Sequence, residues 1–141
     1  MQHKILIVDD EENVRFVLKE AFSKTYQVFT ASEGLSAVEI IKKERPMLVF
    51  LDMKMPGISG LEVLRLVKEA GLTPVIWMRT GEEDLDIALK TLKLGASGYL
   101  TKPFDVKKIR DIILNTIQGA ERKEHHDTQG DKPWRVINKK L

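Results

Sequence analysis

Short apolar runs alternate along this chain with stretches in which apolar residues recur every three or four positions. The runs are Lys4–Val8, Gln27–Ala31, Met47–Leu51, Val75–Met78 and Gly98–Leu100. Each has strand length. Between them, apolar spacing at i, i+3, i+4 and i+7 predicts amphipathic helices. In the first, Val14, Val17, Leu18 and Ala21 share a face. The second starts near Gly34, turns Leu35, Val38 and Ile41 inward and stops at Pro46. Ser59-Gly60-Leu61-Glu62 reads as a capping box for a third, with Leu61, Leu64 and Val67 inward and Gly71 at its end. A fourth lies within Glu82–Leu94 and is closed by Gly95. Asp105 caps the fifth, whose Ile109, Ile112, Ile113 and Thr116 line up. Strands alternating with helices predict an α/β fold, a parallel sheet joined by right-handed crossovers in a three-layer sandwich. Gln27–Ala31 is the most polar run, as suits an edge strand.

Four of the runs lead into residues that can handle a phosphate or a metal ion. Val8 is followed by Asp9-Asp10-Glu11, Leu51 by Asp52, Met78 by Arg79-Thr80-Gly81, and Thr101 by Lys102-Pro103. In an open parallel sheet these endings share the carboxyl edge, where such folds bind ligands. Three carboxylates packed together repel one another and favour a cation. Magnesium takes oxygen ligands, commonly one or two carboxylates together with phosphate oxygen. Phosphoryl transfer needs positioning and charge neutralisation more than covalent help from the protein. Asp52 can serve as nucleophile and form an acyl phosphate, Lys102 can neutralise one phosphoryl oxygen, and Thr80 can donate a hydroxyl to another.

Bulk properties narrow the alternatives. The chain has 141 residues, 43% of them hydrophobic, enough for one domain with a short extension. The net charge of +2 gives no field that would favour nucleic acid or a membrane surface. With no cysteine, disulfide frameworks and thiolate metal sites are excluded. The apolar runs are far shorter than the ~20 residues of a membrane span. The N-terminus goes into a strand without a signal-peptide pattern, so a cytoplasmic location is expected. From Gly119 the sequence turns polar and loses apolar period. It reads as a frayed helix end passing into a tail, 119–141, beyond a domain spanning 3–118.

Three segments together resemble the receiver domain of two-component response regulators: Ile5-Leu6-Ile7-Val8-Asp9-Asp10-Glu11, the stretch Asp52-Met53-Lys54-Met55-Pro56-Gly57-Ile58-Ser59-Gly60, and Lys93-Leu94-Gly95-Ala96 with Tyr99-Leu100-Thr101-Lys102-Pro103-Phe104. The resemblance implies a doubly wound, flavodoxin-like fold with strand order 2-1-3-4-5. It implies Asp52 as phosphoacceptor, and Mg2+ or Mn2+ held by Asp9, Asp10, Asp52 and the backbone carbonyl of Lys54. Lys102 would pair with the phosphate, and Tyr99 stands where the family keeps a switch aromatic. It implies a sensor histidine kinase or a His phosphotransfer protein as donor and a downstream protein as target, with no direct nucleic-acid or membrane binding and a monomer that can dimerise on activation. Such a chain is not an enzyme beyond its own phosphorylation and dephosphorylation.

The fourth strand departs from the family pattern. Pro74-Val75-Ile76-Trp77-Met78-Arg79-Thr80 is one residue longer than the usual step from proline to hydroxyl residue. Counting back from Gly95-Ala96 selects Thr80, with a bulge or a longer lead-in to the strand. Counting forward from Pro74 selects Arg79, and a one-residue slip inverts every side chain. Two other readings fit parts of the chain: an interaction module that signals without phosphate, and an aspartyl phosphohydrolase. The latter commonly needs an acid–base carboxylate two residues after its nucleophile, where this chain has Lys54 after Asp52. Trp77 reads as core, and His125-His126 lack zinc-ligand spacing.

Overall fold

The computed structural model describes residues 2–81, 85–103 and 105–125. Strands and helices alternate in the order β1 (Lys4–Val8), α1 (Glu12–Phe22), β2 (Gln27–Ala31), α2 (Gly34–Glu44), β3 (Leu48–Asp52), α3 (Gly60–Glu69), β4 (Val75–Thr80), α4 (Leu85–Lys93), β5 (Gly98–Thr101) and α5 (Val106–His125). All strand pairs are parallel, in the order β2-β1-β3-β4-β5. Residues 1–102 make one compact unit containing the sheet and α1–α4; the chain from Pro103 onward, with α5, makes another.

Burial explains the strands. Every residue of β3 and all of β1 except Lys4 are buried, as in central strands covered on both faces. β2 is half exposed, consistent with its place at the edge. On one sheet face Leu6, Val8, Val49, Leu51, Ile76 and Met78 form a cluster with Ala37, Val38 and Ile41 of α2 and Val63, Leu64 and Val67 of α3. The alternate positions Ile5, Ile7, Leu48, Phe50 and Trp77 point to the other face and are also buried. The sheet order reverses at β1. Right-handed crossovers in opposite directions therefore put α1 on this second face and α2 on the first.

Two helices are rotated relative to the sequence expectation. In α1 the buried stripe is Val14, Leu18 and Phe22, while Val17 is 42% exposed and Ala21 is exposed. Burying the Phe22 ring removes more apolar area from water than burying Ala21, so the helix turns that way. In α2, Gly34, Ala37, Val38 and Ile41 are buried and Leu35 is 56% exposed. The bare Gly34 backbone lies against the side chains of Ile58 and Val63, which leaves Leu35 facing outward. α3 follows the expected cap: the Ser59 hydroxyl accepts the Glu62 N–H at 3.3 Å. Its face is Gly60, Val63, Leu64 and Val67, with Leu61 half-buried. Asp105 Oδ1 accepts the Lys107 N–H at 2.9 Å at the start of α5. Ile109, Ile112 and Ile113 of that helix are buried, with Thr116 half-buried. The helix continues to His125, well past residue 118; the remainder of the tail, 126–141, lies outside the described residues.

Candidate metal and phosphoryl site

The site grows from the register of the three central strands. Val8 is level with Leu51, so Asp9 and Asp52 leave the sheet at neighbouring positions. The Asp9 N–H donates to the Ala31 carbonyl at 3.1 Å, extending the β1–β2 ladder by one residue. Asp9 Oδ1 accepts the Glu11 N–H at 2.9 Å, and the Asp9 carbonyl accepts from Arg15 Nη1 of α1 at 2.7 Å. Asp9 and Asp52 are buried, and Asp10 is exposed at the rim. One carboxylate oxygen from each of the three can be chosen so that all lie within 4.8 Å of one another. This brings together the acidic residues expected from the sequence.

Asp52 is completely buried and held from one side. Lys102 Nζ lies 3.0 Å from Asp52 Oδ1, and the Lys54 N–H approaches the same oxygen at 3.4 Å. Asp52 Oδ2 is buried with no hydrogen-bond partner among the described residues. Burial pushes the Asp52 carboxyl above its ordinary value. The Lys102 hydrogen bond and charge and the Lys54 N–H pull the other way, and Asp10 adds to the rise. A buried carboxylate oxygen without a hydrogen-bond partner, on a residue clustered with two further carboxylates, is an orphan acceptor of the kind a divalent ion or phosphoryl group satisfies. The donor set is all oxygen, as magnesium requires. The residues fit the ion.

The frame around Asp52 is tight. The Met53 N–H donates to the Arg79 carbonyl and the Gly60 N–H to the Met53 carbonyl, both at 3.0 Å. A Cβ on Gly60 would sit 2.5 Å from the Asp52 carbonyl oxygen and 3.1 Å from the Met53 Cα, so only glycine lets α3 start here. Lys54 is exposed in the loop that follows.

The β3–β4 ladder runs unbroken from Leu48↔Val75 to Asp52↔Arg79. There is no bulge; the strand starts after Pro74. Arg79 is level with Asp52 and shares its face, and Thr80 stands one step further. Thr80 is buried at the strand end, its hydroxyl donating to the Gly81 carbonyl at 3.2 Å. Its own carbonyl accepts the Lys102 N–H at 2.9 Å. Met78 is level with Tyr99 and Thr80 with Thr101, so Thr80 and Tyr99 are diagonal neighbours on one face. Tyr99 is half-buried and packs against the apolar cluster. Trp77 is core, as expected, with its ring over Gly98.

Sequence reasoning missed one feature. Arg79 Nη1 forms a salt bridge with Asp9 Oδ2, and both side chains are almost fully buried. Burial pushes the guanidinium below its ordinary value. The signal is a charge in an otherwise apolar strand, at the residue that rivals Thr80 for the hydroxyl position.

Among sequence families, the response regulator receiver domain matches residues 5–114. The chain is 44% identical over 114 residues to sporulation initiation phosphotransferase F of Bacillus subtilis (strain 168), a match covering 80% of this chain and 92% of that protein. It resembles the crystal structure of a response regulator receiver domain protein from Clostridium thermocellum, with TM-score 0.78, 32% identity, and 84% and 97% of the two chains covered. It also resembles a chemotaxis response regulator of Vibrio cholerae, with TM-score 0.75, 26% identity, and 82% and 99% covered.

Proposed function

This chain belongs to the response regulator receiver domains and is a phosphoacceptor signalling domain; from that premise we propose that Asp52 carries the phosphoryl group and receives it from a phosphohistidine on a sensor histidine kinase or a phosphotransfer protein. The observation that carries this reading is the state of Asp52: one oxygen is held by Lys102, the other has no hydrogen-bond partner among the described residues, and its carboxylate clusters with those of Asp9 and Asp10.

Asp52 Oδ2 attacks the phosphorus. The P–N bond to the donor histidine breaks, and its electron pair stays on that nitrogen; with the other ring nitrogen already carrying a proton, the imidazole leaves neutral. The product is a mixed anhydride on Asp52. When bound by Asp9, Asp10, Asp52 and the Lys54 carbonyl, a magnesium or manganese ion supplies the positive charge that lets an anionic donor approach these carboxylates. Lys102 stays at the phosphoryl oxygens as a compact cation. Thr80 turns its hydroxyl from Gly81 to the phosphoryl group, a role supported by its place at the end of β4 and its shared face with Tyr99. Tyr99 then fills the space that Thr80 leaves. The local charge biases a two-state equilibrium in the surface around α4 and β5, and with it the affinity for a downstream protein. The chain turns over only its own acyl phosphate and works in the cytoplasm with its donor.

Acetyl phosphate with magnesium should add one hydroxylamine-labile phosphoryl group per chain to the wild type and none to Asp52→Ala. A labelled Asp52→Ala protein would contradict the assignment. Sustained multiple turnover on a phosphate ester would favour the phosphohydrolase reading instead.

A further inference from the structure

We propose that Arg79 is a tethered cation that competes with the divalent ion for Asp9, so that this receiver binds metal more weakly than its three carboxylates alone would. The inference rests on the metal site proposed above.

The geometry puts the guanidinium on the same carboxylate that an ion would use. Oδ1 of Asp9 is engaged by the Glu11 N–H at 2.9 Å. Oδ2 carries Arg79 Nη1. An ion taking Oδ2 displaces the guanidinium, and an ion taking the remaining lone pair of Oδ1 shares the carboxylate with a second positive charge. The side chains of Arg79 and Asp9 are 4% and 1% exposed, so water cannot stand in for either partner. The backbone of Arg79 cannot withdraw: its carbonyl accepts the Met53 N–H at 3.0 Å, and the residue is level with Asp52 on one side and Leu100 on the other. Only the side chain is able to move. Asp52 lies on the same face in the adjacent strand, with its Oδ2 without a hydrogen-bond partner among the described residues. A guanidinium displaced from Asp9 thus has the Asp52 carboxylate on the same face as an available acceptor. Arg79 in this way stabilises the metal-free site and sets a threshold of divalent ion that must be exceeded before the cluster loads.

The test is magnesium titration of the full chain by calorimetry, comparing the wild type with Arg79→Met and Arg79→Gln. Methionine fills a similar buried volume without charge, and glutamine keeps a donor. Both should bind magnesium about tenfold more tightly or better, a difference of ~1.4 kcal/mol. Should the variants fail to fold, the wild type alone decides. Its Arg79 Nε–Hε NMR resonance should shift as magnesium saturates the protein, and fall back on chelation. Equal affinity in wild type and variants, or an Arg79 resonance that stays fixed at magnesium saturation, overturns the inference and leaves the metal site standing. No magnesium binding by any of the proteins removes the metal site, and the inference with it.

Discussion

Lys102 Nζ sits 3.0 Å from Oδ1 of Asp52, while the second oxygen of that carboxylate has no hydrogen-bond partner among the described residues. The lysine thus neutralises the nucleophile without covering the oxygen that must react. It is about one-third exposed and the aspartate is not exposed at all, so the pair spans the wall between solvent and core. Lys102→Met removes this cation and keeps a flexible apolar stem. Labelling by acetyl phosphate should slow by about 100-fold, the usual effect of losing one preorganised charge partner. A time course by intact-protein mass spectrometry measures it, and an unchanged rate would contradict the role given to Lys102.

Burial dominates the titration of Asp52, raising its carboxyl above the ordinary 3.8 despite Lys102. The folded protein therefore holds this proton more tightly than the unfolded chain. The stability gained from it is present below the unfolded value and is lost as pH rises through the raised folded value. Asp52→Asn never ionises and escapes the loss. The variant should be more stable than wild type at pH 7 by roughly 1–3 kcal/mol, the range for a buried charge relieved. Its advantage should shrink as pH falls towards the ordinary carboxyl range. Urea unfolding of the two proteins across this pH range shows it; a constant difference would mean that Asp52 ionisation is not the cause.

Gly60 is where α3 meets the backbone of the nucleophile. An alanine there meets the Asp52 carbonyl oxygen at 2.5 Å, a backbone atom that cannot rotate away. Gly60→Ala should cost roughly 1–3 kcal/mol, as overpacking of a close-packed interior does. Chemical denaturation measures that cost. The same displacement moves Asp52 relative to Lys102, so labelling should slow in protein that remains folded.

Much of this was legible in the chain. β1 and β3 announced themselves as apolar runs leading into a carboxylate, and their burial follows those runs residue by residue. The cap at Ser59 and the Asp105 turn were readable because a short polar side chain before an apolar period has few other uses. Helix faces were harder to read. The period of 3.6 leaves a wide stripe, and neighbouring positions such as Val17 and Leu18 compete for its centre until the partner surface decides. A charge in the apolar run of β4 marks Arg79 as unusual, but its pairing with Asp9 was not legible. It depends on which residue of β4 stands level with Asp52, a property of two strands in contact that neither strand carries alone.

The indole of Trp77 rests against Gly98, where a methyl group would come within 2.7 Å of two of its ring carbons. These two positions are therefore obliged to change as a pair: a side chain at 98 becomes admissible only after something narrower replaces the indole at 77. Lys102 follows directly on the strand that Gly98 begins. The strand that carries Lys102 to the carboxyl edge thus begins flat against an aromatic plane.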